Sequence, residues 1–135
     1  MATDESFEAF MVEREAAALA YTRGEGGAVD ALTSRADPVS FFGPDGGRVE
    51  GAEAVRKSFA AGAANFSPES DSRLEIIDMG GDGEIGFWTG IQHAKVKMKG
   101  RDDIVPMQLR ITEVFRRQDG GWKLVHRHAD MLKQG

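Results

Sequence analysis

Between Arg73 and Leu132 this 135-residue chain carries four strand-like runs with no helical stretch between them. RLEIIDMGG, GEIGFWTGIQHAKVKM, IVPMQLRITEVFRR and WKLVHRHADML are separated only by GDG, KGRDD and QDGG, which are turn sequences. Strands joined this tightly cannot make parallel crossovers, so they must pair antiparallel. Helical periodicity is confined to the first half. From Glu5 to Arg23, Phe7, Phe10, Met11, Ala17, Ala18 and Tyr21 recur at spacings of three and four, which predicts one amphipathic helix with Arg14 at the centre of its apolar stripe. TRGEGG breaks it, and AVDALTSRA predicts one or two further turns. DPVSFFGPDGGRVEG reads as a short hairpin and AEAVRKSFAAGAANF as a third helix. Helices first and strands after define an α+β domain with a mainly antiparallel sheet.

Length sets the scale at one domain, residues 1–135. Seventeen basic against twenty-two acidic residues leave a net charge of −5, so the surface does not attract polyanions and nucleic acid is excluded as a first partner. No apolar run is long enough to span a bilayer, and the acidic start MATDESFEAF has no secretory pattern; a soluble, cytoplasmic protein without membrane contact is expected. With no cysteine, thiol catalysis and thiolate metal sites are impossible. Gly81, Gly83 and Gly86 fit the dinucleotide pattern GxGxxG, but strands flank both sides where that fingerprint needs a helix after it, so GDGEIG is a hairpin turn and no cofactor is expected.

The last hairpin allows its register to be counted. With Asp119 and Gly120 as a two-residue turn, Gln118 pairs with Gly121, Arg117 with Trp122, Phe115 with Leu124, Glu113 with His126, Ile111 with His128 and Leu109 with Asp130. Paired residues share a face. One face then carries Leu109, Ile111, Phe115, Trp122 and Leu124 and should cover the helices. The other carries Arg110, Thr112, Arg116, Lys123 and Arg127 with Val114 and Val125, and is free for sheet packing in a homodimer. Glu113 and His126 fall opposed on the interior face with His128 one step further. A five-residue KGRDD turn would add His93, opposite Leu109, and Thr89, opposite Glu113. Two readings of the Glu113–His126 pair stand at this level: a satisfied structural pair, or an acid–base site in which Glu113 holds His126 in one tautomer. Arg14 either reaches the same interior or snorkels to the helix edge. As metal ligands the His126–His128 pair with Glu113 or His93 would supply enough donors, but lone strand histidines at this spacing are common, and no metal is expected.

YTRGEGGAVDALTSRADPVSFFGPDGGRVEGAEAVRKSF and TEVFRRQDGGWKLVHRHAD resemble the SnoaL-like branch of the nuclear transport factor 2-like superfamily. The ending VFRRQDGGWKLVHRH is similar to the association domain of calcium/calmodulin-dependent kinase II and to small bacterial ketosteroid-isomerase homologues. The resemblance implies a cone-shaped α+β fold in which a long first helix and a curved sheet enclose one pocket, and a dimer. It also implies that the charged position of Glu113, an arginine in the kinase domain, lines the pocket. Steroid-isomerase chemistry does not carry over: the tyrosine position holds Ala17, the base position Gly43, and the protonated-acid position falls near Thr112. The Asp-Arg-Asp set of limonene-epoxide hydrolases is also missing.

The sequence therefore leads to a small-molecule-binding domain. Arg14, Tyr21, Phe41, Trp88, Thr89, His93 and His128 are its expected pocket residues, and His126 with Glu113 is its candidate pair for proton transfer of isomerase, dehydratase or hydrolase type. The alternative is a non-catalytic assembly or ligand-sensing module.

Overall fold

The computed structural model describes residues 5–133. Ser6 caps the first helix by accepting from the Ala9 amide, and α1 runs Phe7–Thr22, followed by the short α2, Gly27–Leu32. The predicted hairpin is β1 (Ser40–Phe42) and β2 (Arg48–Glu50), and α3 spans Ala52–Ala63. Four long strands follow: β3 Asp71–Gly81, β4 Ile85–Val96, β5 Val105–Gln118 and β6 Gly121–Met131. They form one six-stranded sheet in the order β2-β1-β6-β5-β4-β3, antiparallel except where β1 runs parallel to β6. The helices cover its concave face.

At one end that cover is aromatic. Phe7 and Phe10 of α1 meet Phe115 at ring-centroid distances of 5.5 and 5.1 Å, and Trp122 stands edge-on to Phe7 at 5.2 Å. The β3–β4 turn accommodates this packing. A Cβ at Gly86 would come within 2.5 Å of the Phe7 ring and one at Gly81 within 2.9 Å of the Phe7 Cβ, so these glycines let α1 lie directly on the hairpin. The apparent dinucleotide motif is thus a turn and a close contact, as its context indicated.

The counted register holds near the last turn and fails further out. Asp119 and Gly120 have φ of 53° and 80°, as a two-residue turn of this type requires, and Gln118↔Gly121, Arg117↔Trp122 and Phe115↔Leu124 pair as expected. Between Phe115 and Val114 the partner jumps from Leu124 to His126, leaving Val125 as the extra residue of a β-bulge. Beyond it Glu113 pairs with Arg127, Thr112 with His128 and Ile111 with Ala129. The β4–β5 connection also departs from the expected five residues, because β4 ends at Val96 and β5 begins at Val105. Trp88 consequently faces Glu113, while Thr89 pairs with Thr112 and His93 with Gln108. A one-residue slip exchanges the faces of a strand. His126, His128, Thr89 and His93 therefore lie on the convex face, and Arg127, Trp88 and Gln92 on the concave one. Among the described residues no helix is long and apolar enough to cross a membrane.

Candidate functional site

Arg14 sits in mid-helix on the buried stripe of α1, over β4 and β5, and is only 4% exposed. A guanidinium cannot stay there without a countercharge. Glu113, with no exposed surface, supplies it: Arg14 Nε donates to Oε1 and Nη2 to Oε2, both at 2.8 Å. Arg127 Nη1 donates to Oε2 at 2.7 Å, and the Trp88 indole N–H to Oε1 at 2.7 Å. Four donors occupy the lone pairs of one carboxylate. Burial alone would raise the Glu113 pKa, but the charges of Arg14 and then Arg127, with their hydrogen bonds, prevail and bring it down to about 2. Burial likewise opposes the Arg14 charge, and the attraction of Glu113 outweighs it, leaving that pKa raised.

Two cations share one anion, so the cluster carries a surplus positive charge. It borders a cavity of about 260 Å³. Arg14 and Arg127 supply its charged wall; Val29, Phe41, Phe59, Met107 and Leu109 supply apolar walls, and Tyr21, Asn65 and Gln92 further polar groups. Phe41 stacks edge-on against Phe59 with centroids 5.0 Å apart, tying β1 to α3. Any side chain at position 62 would collide with the Tyr21 hydroxyl, so Gly62 permits α3 to close over this residue. Burial raises the Tyr21 pKa against the pull of Arg127 and Arg14.

Of the expected pocket residues, Arg14, Tyr21 and Phe41 line the cavity, and Trp88 lies buried beside it, holding Glu113. Thr89, His93, His126 and His128 do not belong to it. Thr89 bonds the Ile111 carbonyl at 2.9 Å, and His93 stands between Glu75 (2.7 Å) and Gln108 (2.8 Å). His126 shares a hydrogen bond of 2.7 Å with the Ser40 hydroxyl and packs edge-on to Phe42; His128 lies 3.9 Å from Asp130. The proposed Glu113–His126 acid–base pair is thereby corrected, since the two residues point to opposite faces. Burial, and then repulsion by His128, lowers the His126 pKa, while Glu113 is the smallest of the influences acting on it. Glu113, saturated with donors, is a counter-ion and not a base. Arg127 and Gln92 escaped the sequence reading. The signal for Arg127 was the adjacent apolar pair Leu124–Val125, a break in strand alternation that marks a bulge. Among the described residues no cluster of His, Asp and Glu is arranged to hold a metal ion.

An α1 helix closing a polar-floored cavity against the concave side of a curved antiparallel sheet defines the nuclear transport factor 2-like class of α+β proteins. Within it the chain belongs to the SnoaL-like domain family, which matches residues 14–132. Solved structures with the same fold include a proposed dehydratase of the NTF2-like family from Streptomyces avermitilis, 23% identical, covering 94% of this chain and 96% of that one with a TM-score of 0.74. A proposed calcium/calmodulin-dependent protein kinase type II association domain from Thiobacillus denitrificans is 18% identical over 98% of this chain and 100% of that one, TM-score 0.70. A proposed ketosteroid isomerase from Parabacteroides distasonis is 19% identical over 93% and 87%, TM-score 0.67. No curated protein sequence matches the chain.

Proposed function

We propose that this chain is a single-domain cytoplasmic protein that binds a small, partly apolar molecule in the cavity beneath α1 and α3. One observation supports the reading: a cavity of about 260 Å³ with mainly aliphatic and aromatic walls contains two arginine side chains that a merely structural core would exclude. Apolar walls with few convergent polar groups are the usual composition of a ligand site. A thermal-shift screen of small carbonyl compounds, acids and lactones tests it. Hits should raise the melting temperature of the wild type but not of Met107→Trp, which adds bulk to the cavity wall; a screen without hits, or hits indifferent to that substitution, rejects the reading.

A second reading is assembly, with or without a ligand. It is favoured by the convex face, where Ile77 is 66% exposed and Ile85 and Phe87 stand out near the half-buried Val114. Such a patch on a sheet suits a second sheet. We therefore propose a homodimer through this face. Arg127, once expected there, is on the other side; Val114, Arg110 and Arg116 remain. Light scattering at micromolar concentration should give twice the chain mass for the wild type and the monomer mass for Phe87→Glu, and a monomeric wild type excludes it.

A further inference from the structure

The Arg14–Glu113–Arg127 cluster is complete around its carboxylate and incomplete around its cations. Arg14 spends Nε and Nη2 on Glu113, and its third nitrogen, Nη1, is buried with no hydrogen-bond partner, the one such side-chain nitrogen or oxygen among the described residues. Leaving a charged donor dry and unpaired is costly, and native interiors seldom do so. Arg127 has partners but holds one of them loosely: its Nη1 is committed to Glu113, and Nη2 donates to the Gln92 side-chain oxygen at a long 3.4 Å. Both residues line the same cavity. The pocket thus offers guanidinium donors and one surplus positive charge on one side, and Val29, Phe59, Met107 and Leu109 on others.

From this we infer the chemical class of the occupant: a small monocarboxylic acid with a compact apolar body, its carboxylate directed to Arg14 Nη1 and toward the loosely held Nη2 of Arg127. The inference rests on the pocket reading above. A monoanion neutralises the surplus of one charge, whereas a doubly charged phosphate would leave an uncompensated negative charge in a dry site. Carboxylate oxygens are also the natural planar acceptors for guanidinium donors. The cavity sets the size, about 260 Å³, which at roughly 30 Å³ per water-sized group admits on the order of ten heavy atoms. Glu113 acts in this scheme as a positioning residue. By taking two donors of Arg14 and one of Arg127, it fixes which nitrogens remain for the ligand.

The experiment uses matched probes, benzoate with benzamide and hexanoate with hexanamide, titrated calorimetrically into the wild type and Arg14→Met. Each pair keeps size and shape and differs in charge. The acids should bind about tenfold or more tightly than their amides. Arg14→Met should weaken the acids far more than the amides and bring the two to the same level. The indole N–H resonance of Trp88, bonded to Glu113, should shift with benzoate, and that of Trp122, bonded to the Glu5 carbonyl, should not. Acids and amides binding equally would overturn the carboxylate assignment and leave the pocket standing. If neither series binds at millimolar concentration, the carboxylate assignment falls, and the wider thermal-shift screen decides whether the pocket reading falls with it. Should Arg14→Met fail to fold, the acid–amide ratio and the two indole resonances in the wild type decide the matter alone.

Discussion

On the concave face of β5, Glu113 has no exposed surface and accepts four hydrogen bonds from two arginines and a tryptophan. Three residues earlier, on the convex face of the same strand, Arg110 forms a similarly short bidentate pair with Asp130 (2.6 and 2.7 Å), with side chains 61% and 35% exposed. The distances are alike and the energetics are not. Water screens the convex pair and solvates either partner if the other is lost. On the concave side the partners solvate only one another, so removing one leaves a charge in a medium that cannot hold it.

Glu113→Gln should therefore have the largest effect, a loss of about 3–5 kcal/mol in denaturant unfolding, because two buried guanidiniums lose their countercharge. A loss as small as that of a typical surface substitution would mean water reaches the cluster and the contrast between the faces is false. Acid is the next test. Glu113 titrates at about 2 in the folded protein against an ordinary 4.5, so as the pH falls the unfolded chain takes up this proton first. The stabilisation is complete above about pH 4.5 and is lost as the pH drops toward 2, amounting to on the order of 3 kcal/mol. In Glu113→Gln this part of the acid limb should flatten; the same slope in both proteins would assign it to other carboxylates.

Parallel substitutions in the two pairs sharpen the comparison. Arg127→Met removes one of four donors from Glu113 but also relieves the surplus positive charge, and should cost about 1–3 kcal/mol. Arg110→Ser should leave the denaturation midpoint within replicate error at ordinary salt. Equal effects of the two would break the distinction. The smallest expected change concerns His126, whose imidazole lies across the sheet from Glu113. In Glu113→Gln its pKa, followed by NMR titration, should fall only slightly, since a weak attraction is lost. A large fall would put the two groups in contact and contradict the bulged register.

Much of this arrangement was legible in the residues. The α1 stripe put Arg14 at its apolar centre but left open whether the side chain turns inward or snorkels to the edge, and the Asp119–Gly120 turn correctly placed Phe115, Trp122 and Leu124 in the core. Counting failed at one residue, Val125. Strand faces alternate with period two, so a single inserted residue reverses every assignment beyond it: the two histidines went outward and the arginine between them inward. The β4–β5 loop produced the same error in Thr89 and His93, because hydrogen bonding between those strands stops at Val96 and Val105, earlier than the turn chemistry of KGRDD implies.

Local composition by itself determined which segments became helix or strand, that the sheet would be mainly antiparallel, and that an arginine stands at the centre of the α1 stripe. Periodicity and turn residues act over a few positions and suffice for that. The identity of the partner set was decided only in three dimensions. Arg14, Trp88, Glu113 and Arg127 come from one helix and three strands, and they meet because a bulge at Val125 and a longer loop after β4 shift two registers by one residue each. Those shifts depend on how the whole sheet pairs and bends beneath α1, which a count along the strand does not contain.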